Sequence, residues 1–420
     1  MKNKLLSEPP SPEHWRRNLY VTWLVQVLSL SGFSISMPFL PFYVRSLGVV
    51  DPAAVKWWVG TSTAILSVSA AIMGPIWGVL ADRHGRKIMI LRSTLAGMII
   101  CALTGFAPNV EIFTLLRFVQ GIFTGTIAAA AILVAAGTPK HRLSYALGFL
   151  ASSTFIGSSI GPSIGGLLAD TFGYRATYFV TAGVLGIAFL LALTLITDVK
   201  NEPHVAKGAS FTHMHRIFTR TFIFVLVVIF LIRFAGAVAG PFVALRVEQL
   251  AQVKNIAGLT GFLITLRSIL ISVAGLTIVR LADRYNKIDM ITLALLLAAA
   301  LTFPIFFAGN IVMFAVFFII TGFFSSCVEP IMQSYVSAAT DPKDRGLIFG
   351  TLSAVGSLGF FAAPIAGSSI AVHHDIKATF LAQAFLLLFT MLVIIVYKLR
   401  HIQFAAIFDR KKSKDIIPLE

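Results

Sequence analysis

The chain has 420 residues, of which 57% are hydrophobic and only 12% charged, and its formal charge is +16. A soluble domain carries about a quarter of its residues as charges, so this composition excludes a water-soluble globular protein. In a soluble chain such a charge would suggest nucleic acid as a partner; in a membrane protein it is first a statement about topology.

Apolar windows of about 20 residues, enough to cross a bilayer as a helix, recur along almost the whole length. The first six fall at about 20–44, 57–81, 88–106, 112–136, 145–169 and 174–197. The second six fall at about 222–245, 257–281, 290–308, 311–338, 347–371 and 378–397. Phe, Leu, Ile and Ala fill them without the strict alternation of barrel strands, which predicts an all-α membrane protein of twelve transmembrane helices. The first apolar run is too long for the core of a signal peptide and lacks a small-residue cleavage site, so it is expected to stay as a helix. The polar stretch 198–220 separates the spans six and six. This gives a leading segment at 1–19, a first bundle at 20–197, a linker at 198–220, a second bundle at 221–400 and a tail at 401–420.

If the N-terminus is cytoplasmic, 25 of the 34 Lys and Arg residues fall in loops and tails on that side, Arg92 among them. Six fall on the other side, and three, Arg117, Arg233 and Arg267, lie inside spans. This asymmetry follows the positive-inside rule and places both termini in the cytoplasm. Cys101 and Cys327 both fall within spans, so no structural disulfide is expected. The nine histidines form no metal-ligand spacing and there is no Walker A loop. No metal, cofactor or nucleic-acid partner is expected, and ATP is not the energy source.

The two halves echo each other at an offset of about 201–202 residues. LADRHGRK at 80–87 returns as LADRYNKI at 281–288, IGPSIGG at 160–166 as AAPIAGS at 362–368, and TPKHR at 138–142 as DPKDR at 341–345. Two pseudo-symmetric six-helix bundles around a central cavity are the layout of alternating-access carriers.

GVLADRHGRK at 78–87 resembles the signature between the second and third helices of the major facilitator superfamily. LLRFVQG at 115–121 resembles that family's fourth-helix arginine motif, and GSSIGPSIGG at 157–166 its fifth-helix antiporter motif. WRRNLYVTWL followed by MPFLPFYV looks like the MdtG-type multidrug efflux subgroup. The resemblance covers essentially the whole chain and implies a drug:proton antiporter.

Each motif also has a physical reading. Asp82 stands at the C-terminal end of the second helix, where the dipole is already negative, so it needs an outside partner. Arg86 or the positive start of the eleventh helix would serve, latching the halves on the cytoplasmic side, with Gly78 for close packing, Arg83 alongside and Gly85 for a tight loop. An ordinary loop salt bridge is the plainer alternative. In the second half, Asn286 and Ile288 replace Gly85 and Lys87 around Asp283, so a second latch is expected to be weaker. Gly157, Gly161 and Gly165 recur every four residues beside Pro162 and Gly166. Such a stripe lets helices approach closely, and it is expected to face the other half. Arg117 must meet carbonyls, a carboxylate or cavity water; the resemblance makes it an aid to proton transfer, while a structural role is nearly as well supported.

FFSSCVEPIM at 323–332 places Glu329 near the middle of a span with Pro330 behind it. Burial favours the neutral acid and a nearby cation the charged one, so Glu329 could carry a proton, sit in a permanent ion pair or face a cationic substrate. Arg233 and Arg267 are the depth-matched cations. Trp23, Gln26, Phe33, Phe234, Gln333 and Tyr335 are candidates for a substrate pocket. The expectation is a monomeric, multi-pass carrier of the bacterial inner membrane. It would export small, largely apolar drug-like molecules in exchange for protons. Alternatives are export of an endogenous metabolite or siderophore and, more remotely, a non-transporting receptor or membrane-embedded enzyme.

Overall fold

The computed structural model describes residues 12–197, 220–282, 285–339 and 345–414. Among these residues every regular element is helical, and twelve helices are long and apolar enough to cross a membrane. In chain order, α1 is Pro12–Ser36, continued through a 3-10 turn into Leu40–Ser46, followed by α2 (Pro52–His84) and α3 (Arg86–Gly105). α4 comes in two pieces, Val110–Phe123 and Thr126–Gly137, and is followed by α5 (Leu143–Phe172) and α6 (Tyr174–Leu195). The second half holds α7 (Arg220–Val238, then Val243–Leu250), α8 (Ile256–Ala282), α9 (Lys287–Phe307), α10 (Ile311–Ala339), α11 (Arg345–His373) and α12 (Lys377–Lys414).

Local chemistry sets many boundaries. Asp51 accepts from the amides of Ala53 and Ala54 at the start of α2, and Pro52 occupies the first turn, where its missing N–H costs nothing. Asn109 and Asn310, one in each half, cap the following helices through the amides of Ile112 and Met313. Gly85, with φ +95°, turns the chain between α2 and α3 in a conformation that a side chain would resist. Two boundaries differ from the hydropathy reading. α12 does not stop near 397 but runs on to Lys414, and α4 is not continuous: at Thr124–Gly125 the chain leaves helical geometry, with Gly125 at φ +123°.

Within the halves, α1 packs on α5 and α6, and α7 packs on α11 and α12. Across the halves, α2 lies against α11 and α5 against α8. The repeat seen in the sequence holds at the level of single contacts. A Cβ on Gly60 would strike Pro364 and Ser368, while one on Gly261 would strike Pro162; positions 60 and 261 differ by 201, and 162 and 364 by 202. Likewise Gly165 abuts the carbonyl of Ile35 and Gly367 that of Val238, whereas Gly121 abuts the Leu66 carbonyl and its counterpart Gly322 the side chain of Arg267.

Both N-terminal and C-terminal helices begin or end on one membrane face, termed here the terminal face. At the opposite, far face a single apolar cluster draws on both halves, including Phe39, Tyr43, Val59 and Phe113 from one and Val238, Phe242, Phe314 and Phe380 from the other. Nearer the terminal face the cores separate. One is built around Leu19, Ile90 and Leu133 and another around Val228, Leu295 and Ile331, each from one half only. The molecule is therefore closed at its far face.

Candidate functional site

Phe318, Gly322, Glu329 and Gln333 recur near multiples of the helical repeat and so share one side of α10. Glu329 forms an ion pair with Arg233 of α7 and accepts a hydrogen bond from Gln333 Nε2 at 3.0 Å. The side chains of Arg233 and Glu329 are 29% and 25% exposed, so the pair is neither sealed in the core nor free in solvent. Arg233 also lies 4.9 Å from the centre of the Phe360 ring, and its Nε is buried without an acceptor. Gly356 and Gly359 of α11 make room for this arginine, which occupies the place that Leu30 holds against Gly157 in the first half.

Arg267 is not the partner of Glu329. Its side chain packs on Gly322 and its guanidinium lies 4.3 Å from the Phe318 ring centre, about 10 Å along α10 from Glu329. Both arginines meet the same side of α10, and axial position separates them: Arg267 meets it about two turns nearer the far face than Glu329 does. Arg117 is 3% exposed; it donates to Gln120 Oε1 at 3.1 Å and approaches Met37 Sδ at 3.6 Å. Among the described residues it has no carboxylate partner.

The glycine stripe of α5 also needs correction. Gly157, Gly161 and Gly165 press on Leu30, Ser34 and Ile35 of α1, inside their own half. The face that meets the other half is its neighbour: the Pro162 carbonyl meets Gly261, Gly166 meets Ala257, and Ser163 donates to Thr265 Oγ1 at 2.8 Å. Spacing identifies a stripe of small residues but not what lies opposite it.

The pocket candidates disperse. Trp23 donates to Ser152 Oγ at 2.9 Å and stacks on Phe149, Gln26 is buried with Nε2 unpaired, and Gln333 is exposed beside Glu329. Phe234 stacks on Phe230. Phe33 is partly buried and packs with Met98, Cys101 and Leu185 between α3 and α6. Tyr335 packs against the terminal-side core of the second half. Of the expected latch, Gly85 and Arg86 are in place, with Arg86 Nη1 buried and unpaired. Asp283 and the side chains of Asp82 and Arg83 lie outside the described residues, as does the packing around Gly78.

Two features were not anticipated. Asp170, at the end of α5, accepts from the amides of Ala257 at 3.2 Å and Gly258 at 2.6 Å, capping α8 across the boundary between the halves. It is joined at the far face by Arg45–Glu248 at 2.7 Å and by Lys56 Nζ donating to the carbonyl of Ala371 at 2.8 Å. The signal was present: a carboxylate at a helix C-terminus is poorly placed for its own dipole, the same reasoning that singled out Asp82. The second feature is the break in α4. Arg92, expected in a loop, lies inside α3, stacks 3.5 Å from the Trp77 ring centre and donates to the Thr124 carbonyl that the break sets free.

The model of the Major Facilitator Superfamily matches residues 22–259 and 225–414. The chain is 33% identical over 391 residues to "Multidrug resistance protein MdtG" of Salmonella heidelberg, covering 91% of this chain and 96% of the relative. It is 33% identical to the protein of the same name in Klebsiella pneumoniae, over 91% and 94% of the two chains. Among solved structures it resembles a bacterial homologue of the human lysosomal transporter Spinster, in an inward-facing and unoccupied conformation. The TM-score is 0.76 at 15% identity, over 92% of this chain and 97% of that one. It also resembles the nucleoside transporter NupG, with a TM-score of 0.67 at 14% identity, over 90% and 98%.

Proposed function

The chain belongs to the Major Facilitator Superfamily, a family of transporters and not of enzymes, and we propose that it is a proton-coupled exporter of small, drug-like molecules. The observation that carries the proposal is the Glu329–Arg233 pair, a carboxylate near the middle of a span held by a cation and a quarter exposed. Resistance to multiple drugs, named for the MdtG relatives, favours outward movement of drug-like cargo in this chain too.

The cycle follows from the geometry. With the far face closed, cargo enters from the terminal face, which the distribution of Lys and Arg assigns to the cytoplasm. The halves then rock, and the far-face contacts of Asp170, Lys56 and Arg45 must break for the cavity to open outward. A proton arriving from that side neutralises Glu329. Opposite charges at about 4 Å attract by about 4 kcal/mol at an effective dielectric of about 20, so protonation removes a substantial tie between α7 and α10. Return to the cytoplasmic side exposes Glu329 to a lower proton concentration, the proton leaves, and the ion pair re-forms. Pro330, directly after Glu329, lets α10 adapt without breaking a full helix.

In this reading Arg117 holds the fourth helix near the cavity, and the protein works as a monomer in the bacterial inner membrane with both termini cytoplasmic. The test is a proteoliposome assay without ATP, in which a panel of candidate compounds is added while internal pH is recorded. Compound-induced proton movement is expected. Uptake of compounds with no proton flux under any gradient would overturn the coupling.

A further inference from the structure

Arg233 and Gln333 reach the same oxygen of Glu329: both donate to Oε1, Gln333 at 3.0 Å. Oε2 accepts no hydrogen bond among the described residues, and it is not sealed off from the interior. Beside a carboxylate that already binds an arginine, only the NH2 end of the Gln333 amide has a proton to offer. Among the described residues this is the one side-chain hydrogen bond that Gln333 makes, and the residue is otherwise exposed. Of the helices packed on α10, α7 presents Arg233 to the site, and α8 presents Arg267 about 10 Å nearer the far face. α9 brings Lys287, which donates to Ser334 at 2.8 Å, and Asp289, which pairs with Lys398 of α12. On α10 itself the titratable neighbours are Cys327 and Tyr335. Among the described residues, only Arg233 and Gln333 bond the Glu329 side chain.

The first half shows that the fold does without this polar trio. Leu30 stands against Gly157 as Arg233 stands against Gly359. At the repeat offset of about 201–202 residues, Glu329 falls on Ile127 or Ala128 and Gln333 on Ala131 or Ile132, all of them apolar. Polar side chains inside a span are costly and mark functional positions, and the group that Gln333 addresses is Glu329. Direction matters as well. α10 runs from the far face to the terminal face, so Gln333 lies one turn, about 6 Å, beyond Glu329 on the terminal side. The molecule is closed at its far face, the state from which a proton must leave towards the terminal face. A donor to a carboxylate favours its charged form, so in this state Gln333 adds to Arg233 in favouring loss of the proton.

We infer that Gln333 is a positioning residue of the proton site: with Arg233 it holds Oε1 of Glu329, leaves Oε2 as the atom that takes the proton, and favours release on the terminal side. Release breaks the Oε2–H bond, leaves the electron pair on the carboxylate and passes the proton to water at the terminal face. This inference rests on the carrier reading above and deepens it, since it moves Gln333 from the substrate pocket to the proton path.

The test uses the full chain in nanodiscs, where infrared difference spectra follow the C=O stretch of protonated carboxylic acids as pH is varied. The band lost in Glu329→Gln belongs to Glu329. Its midpoint is compared in the wild type, Gln333→Met and Gln333→Lys, and the pH profile of compound-induced proton movement is measured in proteoliposomes of the same proteins. Methionine keeps the length of the side chain and removes the donor, and lysine replaces the amide with a cation. Losing a donor to the charged form favours the protonated acid. Gln333→Met should therefore raise the midpoint by about 0.5–1 pH unit, the size of one hydrogen bond screened by solvent. Gln333→Lys should lower it, and the transport profile should follow in each case. A midpoint unmoved in both monodisperse variants would overturn the inference. Shifts of one sign in both would also overturn it, because a loosened helix would then be the cause. A wild type that moves protons while Glu329→Gln loses no band would end the Gln333 assignment and leave proton-coupled transport standing. Midpoints that shift in opposite directions, in a protein that shows no proton-driven transport, would support the assignment and end the carrier reading.

Discussion

The cap that Asp170 places on α8 gives the far-face closure a handle that can be tuned by one atom. Asp170→Asn keeps the shape of the side chain but removes its charge and replaces one acceptor oxygen with an amide that cannot accept from Ala257 or Gly258. Asparagine still accepts one of the two amides and caps about as well as aspartate, so the variant loses one hydrogen bond, about 0.5–1.5 kcal/mol, and the charge–dipole attraction, about 0.3–1 kcal/mol. The closed state should therefore weaken by about 1–2.5 kcal/mol, which shifts the ratio of far-closed to far-open molecules about 5- to 70-fold. Spin labels at Val50 and Val253 would report this. The two positions lie on exposed far-face loops of opposite halves, 89% and 51% exposed, and the buried Cys101 and Cys327 would first be replaced by serine. Distances measured between the labels should gain a longer population in Asp170→Asn. By comparison, the Arg45–Glu248 pair has side chains 40% and 37% exposed, and exposed pairs contribute about 0–1 kcal/mol, so Glu248→Gln should move the same distribution much less. An unchanged distribution in Asp170→Asn, or a larger shift in Glu248→Gln, would refute the reasoning.

The α5 geometry separates two glycine variants. Gly165→Ala drives a Cβ into the Ile35 carbonyl within one half, and overpacking of this kind costs about 1–3 kcal/mol; thermal melting in detergent should fall. Gly261→Ala drives one into the Pro162 carbonyl across the halves, so the spin-label distances should lengthen with a smaller change in melting temperature. Ser163→Cys with Thr265→Cys should form a disulfide on oxidation, because the native hydroxyls are 2.8 Å apart, and transport should stop until a reductant is added. Transport that continued through the oxidised pair would mean that this boundary does not open. If a neutral compound leaves as one proton enters, one charge crosses per cycle. It is worth about 2.3 kcal/mol per 100 mV, so a potassium–valinomycin potential, inside negative, should accelerate export of a neutral dye, and a rate indifferent to that potential would contradict one-for-one exchange.

Hydropathy made the twelve spans and the two halves legible, because a helix in lipid must be apolar along its whole length. The repeat was equally legible, since motifs such as LADRHGRK and LADRYNKI survive in both halves. What one sequence does not encode openly is which residues of neighbouring helices stand level and face each other. Arg233 and Arg267 both meet α10, yet Arg267 meets it about two turns from Glu329. The glycines of α5 form a clear stripe, yet their neighbour is α1. The break at Thr124–Gly125 was hidden because a glycine in an apolar run reads as a packing site. Only the structure brings Arg92 and Trp77 to the exposed carbonyls. Asp170 was within reach of dipole reasoning, but its partner is 87 residues away in the chain.

The most direct test of proton coupling is Glu329→Gln in proteoliposomes, assayed both for transport driven by an imposed pH gradient and for substrate exchange at equal pH. Glutamine retains the size and a carbonyl acceptor for Arg233 but cannot load or release a proton. Gradient-driven transport should be lost while exchange persists, because rocking of the loaded carrier needs no proton. Gradient-driven transport at the wild-type rate would contradict the account, as it would show that the proton travels through a different group.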